Sequence, residues 1–167
     1  MRIGLISDTH GYLDPTVFVH FKQVDEIWHA GDIGNIEVLH QLEAFKPTIA
    51  VYGNIDGHEL RRAIPETQIQ TREDIKIVMN HIGGKPPQYN PPTRALLTKE
   101  YPRLFICGHS HILKVENDRF RKMLYMNPGA AGKHGFHKMR TLLRFEINNG
   151  TIEKLEVIEL GPRASLQ

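Results

Sequence analysis

Apolar positions along the chain fall into short runs that stop at polar, glycine-containing turns, and in the first third each run is followed by apolar residues at helical spacing. Residues 3–7, Ile-Gly-Leu-Ile-Ser, form such a run and break into Asp8-Thr9-His10-Gly11. An apolar stretch of this length, ended by a turn, predicts a buried strand. Asp14-Pro15 then reads as a helix start with proline at the first helical position, and Val17, Phe18 and Phe21 supply an apolar face. A second strand over residues 26–30 ends in Gly31-Asp32-Ile33-Gly34-Asn35, after which Ile36, Leu39, Leu42 and Phe45 recur at helical spacing. The third unit repeats the order. Residues 48–52 are a strand, Gly53-Asn54-Ile55-Asp56 its turn, and Asp56 with Glu59 has the spacing of a capping box for a helix through Ala63. Three strand–loop–helix units in succession predict a parallel sheet whose loops, at the carboxyl ends of the strands, form the binding edge.

The second half changes character. Residues 67–72 and 75–80 read as strands joined by a tight polar turn, the later one ending at His81. The proline-rich stretch 86–92 reads as a stiff loop at the rim of a site, leading to a helix over 93–100. The apolar run Phe105-Ile106-Cys107 then stops at Gly108-His109-Ser110-His111. Four more strands are expected over 113–116, 123–126, 140–147 and 152–160, the last two joined by Asn148-Asn149-Gly150, a hairpin signal. The final third is therefore expected to be antiparallel. Residues 1–160 are read as one domain and 161–167 as a disordered tail.

Composition narrows the classes. A chain of 167 residues with 40% hydrophobic and 24% charged residues is long enough for one domain with a core. Its net charge of +2 comes from interspersed charges rather than a basic block, so nothing calls for nucleic acid. The first apolar run is too short for a signal peptide and no stretch reaches membrane-spanning length, so a cytoplasmic protein without a membrane partner is expected. A homo-oligomer is left open. Cys107 stands alone, which excludes an internal disulfide and a thiolate metal site.

The candidate chemistry sits at the strand ends. Asp8 and His10, Asp32, Asn54, His81, and His109 with His111 are seven oxygen or nitrogen donors at five strand termini. Each by itself is an ordinary residue for a turn. Together, on loops that share one edge of a sheet, they point to a metal site.

The motifs Asp8-x-His10, Gly31-Asp32, Gly53-Asn54, His81 after its strand, and Gly108-His109-x-His111 come in an order that resembles the calcineurin-like metallophosphoesterase superfamily, and within it the small YfcE-like phosphodiesterase group. The resemblance implies an α/β fold, a two-sheet α-β-β-α sandwich with mixed sheets. It implies two divalent transition metals, one held by Asp8, His10, Asp32 and His111, the other by Asp32, Asn54, His81 and His109, with Asp32 shared. The implied activity is that of a metal-dependent phosphoric ester hydrolase, most simply a phosphodiesterase acting on a small phosphodiester through a metal-bridging hydroxide that attacks phosphorus in line. Two dications ~3.7 Å apart repel by about 18 kcal/mol even at an effective dielectric of ~20, so shared anions between them are close to obligatory. Four imidazoles among oxygen donors argue for manganese, iron, cobalt, nickel or zinc rather than calcium or magnesium, and manganese is the expected ion.

One departure from the family pattern bears on substrate. Many members carry histidine after the asparagine, where it protonates the leaving oxygen; here that residue is Ile55. A lost proton transfer costs a factor of about 10² to 10⁴, so diesters with acidic leaving groups are expected to be favoured over alkyl monoesters. His58, three residues on, is the candidate substitute acid, and Asn54 is assigned a catalytic as well as a ligand role. Asn127-Pro128-Gly129-Ala130 resembles the family's Asn-Pro-Gly-Ser loop, with Ala130 in place of serine, and its amides are candidates to meet phosphate. His134 is read as a substrate contact, and His29 as a core residue supporting the site. Two other functions fit the fold. One is a non-catalytic protein-binding scaffold like the metallophosphoesterase-like subunit of retromer, which predicts eroded ligands. The other is a nuclease of the same superfamily, for which the chain's length and small charge leave little room.

Overall fold

The structure is a computed structural model and describes residues 1–164. Both layers of the molecule are built on β1 (Arg2–Ile6). Successive side chains of a strand point to opposite faces, so Ile3 and Leu5 enter one core while Ile6 enters another. Gly4 lies against the ring of Phe21, where a Cβ would come within 2.7 Å of the aromatic carbons.

The first sheet has the order β12-β11-β1-β2-β3, with β2 at Glu26–His29, β3 at Thr48–Ala50, β11 at Met139–Asn148 and β12 at Thr151–Pro162. β1, β2 and β3 run parallel, as the strand–loop–helix repeat requires, and β11 closes onto β1 antiparallel, setting Ile3 against Phe145 and Leu5 against Leu143. The second sheet has the order β4-β5-β8-β10-β9, from β4 (Thr67–Arg72), β5 (Ile75–Asn80), β8 (Leu104–Ile106), β9 (Leu113–Asp118) and β10 (Met123–Pro128). Its alternate residues Ile75, Ile77, Met79, Leu104, Ile106 and Met126 meet Ile3, Leu5, Trp28, Leu143 and Phe145 of the first sheet. This is the central core, and each fully buried Leu, Ile or Phe in it contributes about 1.5–3 kcal/mol.

Helices cover the outer faces. α1 (Thr16–His20), α2 (Ile36–Phe45) and α3 (His58–Ala63) pack Val17, Val38, Leu39, Leu42 and Leu60 on Ile6, Ile27 and Leu142 of the first sheet. α4 (Pro91–Glu100) packs Leu97 on Val78, Phe105 and Tyr125 of the second. The layers are thus α-β-β-α, with mixed sheets, as expected. Asn35 caps α2 by accepting from the Val38 amide (3.0 Å), and Asn90 caps α4 by accepting from the Thr93 amide (2.9 Å). Among the described residues no helix is long and apolar enough to cross a membrane.

Several local expectations are corrected. The proline-rich stretch carries a two-stranded hairpin, β6 (Gly84–Lys85) and β7 (Gln88–Tyr89), and α4 starts at Pro91, because prolines at the first helical positions lose no hydrogen bond. β10 is parallel to β8, so the final third is not purely antiparallel. Asp56 does not cap α3, whose N-cap is Gly57 without a side-chain bond. Gly161 and Pro162, expected in a disordered tail, close β12; residues 165–167 of that tail lie outside the described residues.

Candidate metal centre

β1, β2 and β3 are adjacent parallel strands of one sheet, and β5 and β8 are adjacent parallel strands of the other, so five carboxyl-terminal loops open at the same edge. Backbone bonds lace these loops together. The Asp8 amide donates to the Gly31 carbonyl (3.0 Å), His10 to Asp32 (3.0 Å), Gly11 to Ile33 (2.8 Å) and Gly108 to His81 (3.0 Å). Two glycines allow the close approach: a Cβ on Gly53 would collide with the Asp32 carboxylate, and one on Gly108 with Ser7 and Asp8. Five of the seven candidate donors hold left-handed backbone, with φ of 54° at Asp8, 47° at His10, 52° at Asp32, 67° at His109 and 58° at His111. Left-handed residues other than glycine are uncommon and cluster where function demands a particular side-chain direction.

The donors form two groups, Asp8 with His10 and His111, and Asp32 with His81 and His109, the ligand-capable atoms of each lying within 4.8 Å of one another. Each carboxylate has one oxygen satisfied by the protein and one turned inward. Asp8 Oδ2 accepts from the Ser7 hydroxyl (2.6 Å) and the His109 amide (3.2 Å), while Oδ1 is buried without a partner. Asp32 Oδ1 accepts from the Ile55 amide (3.0 Å), and Oδ2 lies 3.2 Å from His81 Nε2 and 3.7 Å from His10 Nε2. On the other side of the ring, His81 Nδ1 donates to the Ala30 carbonyl (2.8 Å), which turns Nε2 toward the Asp8 and Asp32 carboxylates. His10 and His111 bring their Nε2 atoms to 3.2 Å, with Asp8 Oδ1 at 3.1 Å from His111.

Such a centre is short of positive charge. Burial alone would push the His81 imidazole down, but the Asp32 hydrogen bond and the charges of Asp8 and Asp32 outweigh it and hold the group above its ordinary value. Burial likewise works to raise Asp32, and the His81 contact overcomes it and holds the carboxyl low. Burial prevails at His10, whose imidazole is pushed down. Two carboxylates with inward oxygens and several imidazole nitrogens are the donor set that divalent transition ions require. The orphaned Asp8 Oδ1 and His81 Nε2 fit that use, since a buried polar atom without a partner is otherwise costly.

Residues outside the seven candidate donors hold this arrangement. Asp56, 2% exposed, accepts from the amides of Ile33 (3.1 Å), Gly34 (2.7 Å) and Gly53 (2.8 Å), and so ties the Asp32 loop to the Asn54 loop. Its spacing to Glu59 signalled a helix cap; the amides it binds lie elsewhere, and only the fold reveals them. His29, expected in a supporting role, is fully buried with both nitrogens engaged: Nδ1 accepts from the Gly31 amide (3.2 Å) and Nε2 donates to Thr9 Oγ1 (3.0 Å), which itself donates to the Ile33 carbonyl. Burial pushes this imidazole down to about 4. Asn127 donates to the Gly108 carbonyl (2.8 Å) and to Ser110 (3.1 Å), bracing the His109 loop. Three amides of its own segment are taken within the protein, Gly129 by Asn127 Oδ1, Ala131 by the Ser7 carbonyl and Gly132 by the Asp8 carbonyl, so these three are not free for phosphate. Cys107 is buried and its thiol pushed up to about 12 by burial, in keeping with a packing role.

A cleft of about 470 Å³ opens over the centre, lined by His10, Asp32, Asn54, His109 and His111 together with Ile55, Ile112, His134 and Phe136. His134 is brought beside His10, ring centroids 5.0 Å apart. His58 is not brought in: it opens α3 at the surface and does not line the cleft, whereas Ile55 does.

A sequence profile of the calcineurin-like phosphoesterase superfamily domain matches residues 1–150. A protein of Methanocaldococcus jannaschii named Probable metallophosphoesterase is 37% identical over 136 residues, covering 78% of this chain and 68% of that protein. Another of that name from Methanothermobacter thermautotrophicus is 30% identical over 138 residues, covering 78% and 77%. Among solved structures, one described as a novel archaeal phosphodiesterase superposes with a TM-score of 0.77 at 22% identity over 96% of this chain and all of that one. Vps29 of Entamoeba histolytica complexed with zinc superposes with a TM-score of 0.71 at 19% identity over 95% and 99%. With the profile spanning nearly the whole chain and two relatives matched over most of their length, this chain belongs to the calcineurin-like phosphoesterase superfamily.

Proposed function

We propose that the protein is a dinuclear-metal phosphodiesterase. The observation that carries this reading is the pair of carboxylates, each with one oxygen held by protein donors and the other turned toward imidazole nitrogens. Asp8, His10 and His111 would hold one ion, His81, His109 and Asn54 the other, and Asp32 would be shared. Manganese suits the mixed nitrogen and oxygen donors, with nickel, iron, cobalt or zinc as alternatives. When bound, two divalent ions supply a water acidified toward neutral pH and positive charge for the phosphoryl oxygens.

The chain's own residues favour a diester. Ile55 lines the cleft where the family's proton donor stands in many members, so no imidazole at that position protonates the departing oxygen. A leaving group that is already acidic does not need it. His134 stands at the rim beside His10, placed to meet a phosphoryl or ester oxygen. The description of the archaeal structural relative as a phosphodiesterase supports the same assignment.

The test is hydrolysis of bis-p-nitrophenyl phosphate beside p-nitrophenyl phosphate, on protein stripped with chelator and reloaded separately with manganese, nickel, zinc and magnesium. Metal-dependent turnover favouring the diester is expected. A protein that binds two ions per chain yet turns over neither ester would refute catalysis. That outcome would support a second reading, a protein-binding scaffold, which draws on the fold shared with Vps29 and on the exposed Ile112 and Phe136 at the mouth of the cleft.

A further inference from the structure

We infer that His137 is a positioning residue: through a ring-to-ring hydrogen bond it fixes the tautomer of His111 and leaves His111 Nε2 bare for a cation. The inference rests on the metal-centre reading above and adds to it a residue outside the ligand set. His137 Nε2 lies 3.0 Å from the Gly132 carbonyl oxygen. A carbonyl only accepts, so this nitrogen carries the hydrogen. In a neutral imidazole the other nitrogen is then a lone pair, and His137 Nδ1 lies 3.3 Å from His111 Nδ1. Two lone pairs do not face each other at that distance with profit, so His111 Nδ1 is the donor and Nε2 is the nitrogen left to meet a cation. Nε2 lies 3.1 Å from the inward oxygen of Asp8 and 3.2 Å from His10 Nε2, where a cation between them would take the place of a hydrogen.

The segment bearing His137 is anchored at both ends. The Gly132 amide donates to the Asp8 carbonyl (3.0 Å), and Arg163 Nε donates to the His137 carbonyl (3.0 Å). Between them Gly135, at φ +120°, passes so close that a Cβ there would run into His111 Nδ1. His81 provides an internal comparison. Its Nδ1 reaches a backbone carbonyl directly, at Ala30 (2.8 Å), whereas His111 reaches one through a second imidazole. Outer partners of this kind orient ligand rings and typically govern 10- to 100-fold in metal affinity.

The experiment combines nitrogen-resolved NMR of the histidine rings with zinc titration at about pH 8, where ordinary imidazoles are neutral, on wild type, His137→Phe and His137→Asn. Phenylalanine keeps the ring shape without an acceptor; asparagine offers an amide oxygen near the position of Nδ1. In metal-free wild type, His111 Nδ1 is expected to carry a hydrogen. His137→Phe should shift the ring toward Nε2–H and weaken zinc binding about 10- to 100-fold, and His137→Asn should recover most of that loss. A His111 Nδ1 without a hydrogen in wild type, unchanged affinity in His137→Phe, or equal losses in the two variants would overturn the inference. Absence of zinc binding to wild type would instead defeat the metal-centre reading, and the tautomer spectrum of the metal-free protein would still decide the role of His137.

Discussion

The substitution Asp56→Asn separates the clamp seen in the fold from the helix cap suggested by the sequence. Aspartate and asparagine are nearly equivalent as N-caps, so a cap would tolerate the change. The clamp would not. Asp56 Oδ2 accepts from the Ile33 and Gly53 amides and Oδ1 from the Gly34 amide, all buried or nearly so. An asparagine can keep its oxygen toward the first two, but its NH₂ then faces the Gly34 N–H, donor against donor. Leaving that amide unsatisfied costs about 1–3 kcal/mol, and the two remaining bonds lose the extra strength that a charged acceptor lends, for a total of about 2–5 kcal/mol. Against a domain stability of about 5–15 kcal/mol this is a large fraction. Urea denaturation of chelator-treated protein should show a lower midpoint with an unchanged slope. Manganese affinity of the folded variant should fall as well, because the loops carrying Asp32 and Asn54 lose their common anchor. A variant that unfolds within about 0.5 kcal/mol of wild type, the range of ordinary surface changes, would refute the clamp.

Three further outcomes are expected. Asp32→Ala removes the carboxylate proposed to be shared by the two ions and should abolish metal uptake, read by elemental analysis, together with hydrolysis; undiminished turnover would defeat the two-metal reading. Ile55→His puts an imidazole in the cleft and should raise hydrolysis of alkyl monoesters toward the ~10²-fold typical of one proton transfer, with little gain for nitrophenyl esters; a flat response across leaving groups would show that position 55 does not govern protonation. His29 titrates lower folded than unfolded, so the unfolded chain binds the extra proton and stability, complete above about pH 6.5, is lost as pH falls toward about 4. A pH series of thermal melts should show that loss, and His29→Gln should shrink it.

Much of the fold was legible because β1, β2 and β3 each carry their pattern locally: an apolar run, a glycine turn, then helical spacing. The division of strands between sheets was not, since β11 joins β1 and β10 joins β8 through pairings of more than a hundred and of about twenty residues' separation that no local window contains. The β6–β7 hairpin escaped notice because two-residue strands among prolines leave no period to read. The donor residues stood out as side-chain types at strand ends, and six of them converge in the fold. What holds them was hidden for a physical reason. Asp56 and Asn127 act on backbone amides and carbonyls, which every residue has, and His137 acts on the far side of a ring whose orientation only the fold decides.

The left-handed turns at Asp8, His10, Asp32, His109 and His111 carry a consequence for how the protein matures. Each costs about 1–2 kcal/mol that a right-handed conformation would not, and bonds such as Asp8 to Gly31 and His10 to Asp32, between one strand end and the next, hold them in place. The cost is therefore met during folding by the sheets, and an arriving cation has little ordering left to do. In a zinc finger the ion folds the peptide and a chelator unfolds it; here the chain is expected to fold first and take its ion last. Chelation should empty the centre and leave the fold standing, so that the ion carried by each copy follows the supply of its compartment rather than the history of its folding.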